Sequence, residues 1–422
     1  NIKQAFENFM ASRALIAQAR SQLFPTVSTT PAYQISRSSA NVGNFSAASS
    51  SGSAPKPKLI NEVFTLPVSA SWEPDLWGKV RNTIHEAQYN AQLNAADLEN
   101  ERLSEQASLA IFLFELRGQD TLRKVFDETI EADRKSLDLA KARYETGVDD
   151  QISVVQAQNA LESAEAAGTN LGVARAQYEH AIAVLIGVSP SGFSIPVKPL
   201  QAVPPAIPLG VPSQLLERRP DIAASERSMA AANAQIGIAV AAYYPNLTIS
   251  GDVGFESATI GKLLAWPSRI WSVGPSLSET IFDAGLRRAT VLQYTAVYNA
   301  NVAGYRQTVL TGFQQVEDSL AAVRILSKQI EQQIAAEQSA ERYLELAKAR
   351  YFTGVDTYLN VLVAQTTLLA DQQILASLRT QAMTASVQLI EALGGGWDSS
   401  QLPTPAQVSQ KVTKSEIESP KP

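Results

Sequence analysis

The 422-residue chain contains no cysteine, which excludes disulfides, thiol nucleophiles and cysteine zinc sites. Histidine is almost absent. His85 and His180 are the only two, both in polar stretches of helical composition, where surface or structural roles are expected. Basic charge is not in excess: 35 Lys and Arg stand against 41 Asp and Glu, a formal net charge of −6. The basic face that nucleic acid requires is therefore lacking. No nucleophile motif, metal constellation or phosphate loop stands out, so neither an enzyme nor a cofactor is expected. Long apolar runs are missing as well. Ser228 to Gly251 carries no charge, but Asn233, Gln235 and Pro245 interrupt it, and it is not expected to span a membrane as a helix. Hydrophobic residues still make up 45% of the chain, enough for a sizeable core. The chain begins at Asn1 without a visible signal peptide, so the true N-terminus is expected to lie upstream.

Two long stretches lack proline, from Pro74 to Pro190 and from Pro275 to Pro403. Proline costs about 3 kcal/mol inside a helix, and these stretches are rich in Ala, Leu, Gln and Glu, so both read as helix. Each is broken once, at Thr146-Gly147-Val148-Asp149 and at Thr353-Gly354-Val355-Asp356, where glycine suits a helix C-cap or tight turn.

The two stretches are copies. Leu139 to Leu161 matches Leu346 to Leu368 at 14 of 23 positions with a constant offset of 207. ARSQLFPTV from Ala19 parallels AVAAYYPNL from Ala239, and DLWGKVR from Asp75 loosely parallels FDAGLRR from Phe282. The organisation read from this is a first repeat over 1–190, an inter-repeat linker over 191–214, a second repeat over 215–395 and a polar C-terminal tail over 396–422. Each repeat is expected to hold a helix, a β-hairpin (about 26–73 and 246–282) and a long helical hairpin (about 75–187 and 284–393). Arg218, Arg219 and Asp221 around Pro220 read as a structural helix start with ion pairs.

Within the last helix, Val361, Leu368, Leu375, Ala382 and Leu389 recur every seven residues, as do Leu362, Leu369, Ala376, Met383 and Ile390. A sustained heptad imposes a left-handed supercoil, and two adjacent series make a stripe wide enough for more than one neighbour. The arm before the second break, from about Leu286, would reach roughly 100 Å at 1.5 Å per residue, which suits a coiled coil or a helical barrel. The strand regions alternate. Leu66, Val68, Ala70 and Trp72 interleave with Thr65, Pro67, Ser69 and Ser71; Leu247, Ile249, Gly251, Val253 and Phe255 interleave with Thr248, Ser250, Asp252 and Gly254. Such a pattern fits a sheet packed on helices, or a membrane barrel with lipid on one face and water on the other. The Ser/Gly/Pro-rich stretch from Asn41 to Lys58 reads as an exposed loop, and Trp72, Trp266 and Trp271 as aromatics at a membrane interface. Four strands cannot close a membrane barrel alone, so spanning strands would require several subunits. Three copies would supply twelve strands.

With LLERRPDIAASERSMAAANAQIGIAVAAYYPNLTISG from Leu215, SLSETIFDAGLRRA, RYFTGVDTYLNVLVAQ, EALGGGW, WEPDLWGKVR and RYETGVDDQISVVQAQ all in order, the chain resembles the TolC-like outer membrane factors, in particular the lipoprotein branch serving tripartite multidrug pumps. The resemblance implies a mainly α fold with membrane β: a homotrimer forming a 12-stranded β-barrel in the outer membrane, continuous with a periplasmic α-helical barrel and girdled by an equatorial region. It implies passive export of drugs and other small molecules, delivered by a periplasmic adaptor and an inner-membrane RND-type pump, with no cofactor. Members of the branch begin with a segment ending in a lipid-modified cysteine. Here such a segment is expected before Asn1, or the subunit lacks that anchor. Family position assigns Thr146, Gly147, Val148, Asp149, Thr353, Gly354, Val355 and Asp356 to the adaptor-docking tip, although simple turns would explain the same residues. It assigns Leu359 and Val363, with Asp150 nearby, to the constriction. Many members carry aspartate where this chain has Val363, so an apolar constriction is expected in place of a charged one. A type I protein secretion conduit would share the fold, and a periplasmic coiled-coil scaffold without a pore is the reading of another class.

Overall fold

The computed structural model describes residues 1–39, 60–205 and 215–410. The expected loop from Asn41 to Lys58, the end of the linker and most of the polar tail lie outside these residues. In order, the elements are α1 (Ile2–Ser21), β1 (Thr26–Thr29), β2 (Ala32–Arg37), β3 (Ile60–Trp72), α2 (Lys79–Glu145), α3 (Gln151–Leu185), α4 (Leu215–Arg218), α5 (Pro220–Ala241), β4 (Asn246–Ser257), β5 (Arg269–Ser278), α6 (Leu286–Phe352), α7 (Tyr358–Ala392) and α8 (Pro405–Val408). The four long helices fall in the two proline-free stretches. No helix among the described residues is long and apolar enough to cross a membrane. Contacts divide the chain into two compact units.

One unit comprises Glu7–Asn94, Glu226–Gly304 and Pro403–Pro422 and carries the sheet. Its strands are antiparallel in the order β1/β2, β3, β4, β5. The first strand is broken at Thr30–Pro31 while its register against β3 runs on unshifted, from Thr29 opposite Val68 to Ala32 opposite Thr65. The cause is local: Pro31 has no N–H, and neither has Pro67, the residue that this register sets opposite Thr30. Across β3, β4 and β5 the pairing places Val68 opposite Val253 and Val253 opposite Trp271. One face therefore gathers Val27, Tyr33, Ile35, Val68, Trp72, Ile249, Val253, Trp271, Val273 and Leu277, all exposed. The other gathers Ser28, Gln34, Thr65, Ser69, Ser250, Asp252, Ser272 and Ser276. Gly254 lies so close to Leu66 and Pro67 that a Cβ would stand 2.8 Å from Pro67 Cα.

Both long arms start in the same way. Asp75 accepts hydrogen bonds from the Val80 and Arg81 backbone amides (3.1 and 2.9 Å) and from the Arg81 side chain. Asp283 accepts from the Gly285 and Arg287 amides and from the Arg287 side chain. Each acid thus satisfies orphan N–H groups of the helix start. The short α8, closed by a Thr404–Gln407 capping box, buries Val408 with Ile16 and Ala91. Arg13 and Arg20 of α1 donate to the Gln410 and Ser409 carbonyls.

The other unit comprises Asn1–Phe6, Ala95–Ser225 and Tyr305–Leu402. On α7 the first heptad series forms most of the seam: Val361, Leu375, Ala382 and Leu389 are all at most 5% exposed, and Leu368 is half-buried. The second series is less uniform, with Ala376 and Met383 buried but Ile390 exposed. Asp120 of α2 is buried and fully used. It pairs with Arg117 and Arg175 (3.1 and 2.8 Å) and accepts from the Lys198 amide, which ties the linker to α2 and α3. Arg219 forms ion-paired hydrogen bonds with Asp221 and donates to the Ala392 carbonyl and Gln315 (2.9 and 2.8 Å). It seats the start of α5 on the middle of α6 and the end of α7, the structural role read from the sequence.

Candidate functional site at the two helix-to-helix turns

The repeated Thr-Gly-Val-Asp motifs build the same turn twice. Gly147 and Gly354 adopt φ of +72° and +73°, a left-handed conformation that glycine accepts without Cβ strain. The Val148 amide donates to the Arg143 carbonyl and the Gly147 amide to Tyr144; Val355 donates to Arg350 and Gly354 to Tyr351, all at 2.9 to 3.0 Å. These paired bonds are Schellman caps, satisfying the last carbonyls of α2 and α6. Thr146 and Thr353 turn their hydroxyls back onto the same carbonyl rows. Nothing lies within 4 Å of where a Cβ would stand on either glycine, and Val148 and Val355 are exposed.

Beyond the turns the copies diverge. Asp150 caps α3, accepting from the Ser153 amide at 3.1 Å. Asp149 accepts from the Tyr351 hydroxyl of the other hairpin at 2.5 Å and from Ser153 Oγ at 2.9 Å. Arg143 lies 3.8 Å from Asp149 and stacks its guanidinium 4.7 Å above the Tyr351 ring. Burial opposes the Asp149 charge, but the hydrogen bonds from Tyr351, Asp150 and Ser153 and the charge of Arg143 hold its carboxyl below the usual range. Burial first, then the Asp149 partner, pushes the Tyr351 phenol up. In the second copy Asp356 accepts instead from Arg350 at 3.0 Å and Asn360 at 2.5 Å, and the Arg350 bond foremost keeps its carboxyl low.

Behind the turns sits a buried polar cluster that the sequence did not flag. Asp133 of α2 is 5% exposed and accepts from Gln365 of α7 at 3.1 Å; Gln365 also reaches Ser136 at 3.3 Å. Burial raises the Asp133 carboxyl to about 6, against the pull of Lys348. Tyr358, buried and edge-on to Tyr351 at 5.5 Å, is pushed up to about 12 by burial and then by Asp133. A signal was available in the repeat. At the offset of 207, Tyr358 faces Gln151 and Asp133 faces Ala340, so the cluster forms where otherwise similar copies differ.

Leu359 and Val363 lie one turn apart on α7, 50% and 45% exposed, while Val361 and Ala364 beside them are buried. They point away from their own subunit's core. Of the tryptophans, Trp72 ends β3 with its indole donating to the Leu23 carbonyl at 3.0 Å. Trp266 lies in a short turn between β4 and β5, and Trp271 stands on the apolar face opposite Val253. These three belong to the sheet unit; the turn residues belong to the other.

A sheet with one apolar exposed face, carried by helices far longer than a globule needs, defines an outer-membrane channel component, and comparison with known proteins agrees. The solved outer-membrane channel OprN superposes with a TM-score of 0.86 at 27% identity, covering 94% of this chain and 87% of that one. VceC of Vibrio cholerae superposes at 0.83 and 26% identity, covering 94% and 93%. The toluene efflux pump outer membrane protein TtgC of Pseudomonas putida is 32% identical over 425 residues, 100% of this chain and 84% of that protein. A family model for outer membrane efflux proteins matches residues 1–188 and 211–395. The chain belongs to the outer membrane efflux protein family.

Proposed function

We propose that three copies of this chain form one channel that passively carries small molecules from the periplasm to the exterior, without catalysis of its own. The single observation that carries this is the sheet. Its apolar face is exposed, and its outer strands, β1/β2 and β5, have no partner on their outer edges among the described residues. Open edges are not tolerated in lipid, so each sheet of four strand widths joins its neighbours, and three close a barrel of twelve. The Ser, Thr and Gln face then lines water.

The two Thr-Gly-Val-Asp turns serve as the docking tip for a periplasmic adaptor, which links the channel to an inner-membrane pump of the RND type. Exposed Val148 and Val355 beside Cβ-free glycines leave room for a partner backbone. Leu359 and Val363, turned away from their own core, converge across the three subunits and narrow the pore by apolar contact. The link from Tyr351 to Asp149 holds the two hairpins of a subunit together in the narrowed state. Relatives are named for toluene, antibiotic and solvent efflux, which supports small molecules over folded proteins as cargo. The test is single-channel conductance in a planar bilayer. Val363→Ala is expected to widen the resting pore and raise conductance; unchanged conductance would remove Val363 from the constriction.

A further inference from the structure

We propose that the tip of the β4–β5 hairpin binds the phosphate of an anionic lipid headgroup in the outer leaflet, with Lys262 and Arg269 as phosphate ligands and Trp266 as the apolar anchor between them. This rests on the membrane-channel reading above and goes beyond it by naming the lipid chemistry.

The hairpin tip is folded, not ragged. Two short turns, Ile260–Lys262 and Trp266–Ser268, follow one another, and Ser268 Oγ donates back to the Lys262 carbonyl at 2.7 Å. This bond closes the loop and brings the backbones of Lys262 and Ser268, the neighbour of Arg269, together. Arg269 then lays its guanidinium 3.1 Å from the Trp266 ring centre, while its Nε donates to the Trp266 carbonyl. One edge of the fork is thereby fixed. Its terminal nitrogens and the Lys262 ammonium have no acceptor among the described residues. A guanidinium fixed in this way offers paired donors of the geometry that phosphate takes.

The surroundings fit a lipid surface better than water. Ile260, Leu264, Trp266 and Trp271 are 71 to 76% exposed, and Trp271 stands opposite Val253 on the apolar face of the sheet. No acidic residue occurs between Glu256 and Glu279, so nothing in that segment neutralises the two cations. The side of the membrane follows from connectivity. Helix α5 leads into β4 and α6 leaves β5 at the end of the hairpin opposite this tip, and with the helices in the periplasm the tip faces outward. Trp266, carrying its cation, then stands where acyl chains give way to headgroups.

Full-length protein, detergent-purified and exchanged into mixtures of phosphatidylglycerol and phosphatidylcholine, would be examined by native mass spectrometry for retained lipid. The wild type is expected to retain the anionic lipid preferentially. Each cation near an anionic surface contributes roughly fivefold, so Lys262→Gln with Arg269→Gln should cut that preference by roughly 25-fold. Lys141→Gln, an exposed lysine on α2, should leave it unchanged. Arg269→Lys should fall between, because it keeps charge but loses the fork. Inorganic phosphate at matched ionic strength should not displace the lipid. A preference unchanged in the double variant, or displacement by free phosphate, would overturn the proposal. Loss of wild-type conductance would instead strike the channel reading. If the double variant does not insert, Lys262→Gln alone carries the same test at roughly fivefold.

Discussion

Asp133 keeps its carboxyl where water scarcely reaches, and this gives the region behind the turns a pH dependence of definite sign. Its folded value, about 6, lies above the ordinary 3.8, so the folded chain holds the proton more tightly than the unfolded one. The stability this adds is fully present below about pH 3.8 and is lost as pH rises through about 6, on the order of 3 kcal/mol in all. Asp133→Asn keeps the shape and can still accept from Gln365. Its unfolding free energy is expected to rise relative to wild type as pH goes from 4 to 7, and parallel curves in a urea titration would contradict this. Tyr351→Phe tests the neighbouring link. A hydrogen bond to a charged group contributes about 1.5–3 kcal/mol, so the variant should unfold at lower urea and open more readily in a bilayer. A loss of stability with unaltered opening would leave Tyr351 as packing alone. Neither pair could be read in the sequence: Gln365 lies 232 residues from Asp133, and only the fold brings them within reach.

At the scale of elements, the turns were the most legible part. A glycine placed after a long Ala- and Leu-rich stretch, flanked by Thr and Asp, specifies a Schellman end by local chemistry alone. Gly147→Ala or Gly354→Ala forces a Cβ into a left-handed conformation at a cost of about 1–2 kcal/mol each. With open space at both positions, the expected result is a small fall in unfolding midpoint with weakened adaptor binding, measured by calorimetry. A fall in stability with undiminished adaptor affinity would separate the cap from the docking role. Gly254→Ala acts differently, since its Cβ meets β3 backbone that cannot yield. A cost of about 1–3 kcal/mol is expected, read as loss of heat-resistant assembly on gels. The break between β1 and β2 cannot be read from alternation, because it needs Pro31 and Pro67 to fall on facing strands, and register is invisible until the strands are paired.

On the scale of the whole molecule, one duplicated design is legible in the sequence because a match of 14 positions in 23 at a fixed offset has no local explanation. The two long helical arms share a length of 67 residues and the two return helices one of 35, so duplication in sequence became duplication in structure. What the repeats do not share is where the chain gained its particular chemistry: Asp133, Tyr358 and Val363 have Ala340, Gln151 and Gln156 as their counterparts. As proposed, the sheet is a third of a closed barrel. Native mass of the membrane-extracted protein in detergent tests it most directly. A trimer is expected that stays intact in mild detergent and dissociates when the sheet edges are disrupted. A stable monomer, or a protein that stays in solution without detergent, would contradict it.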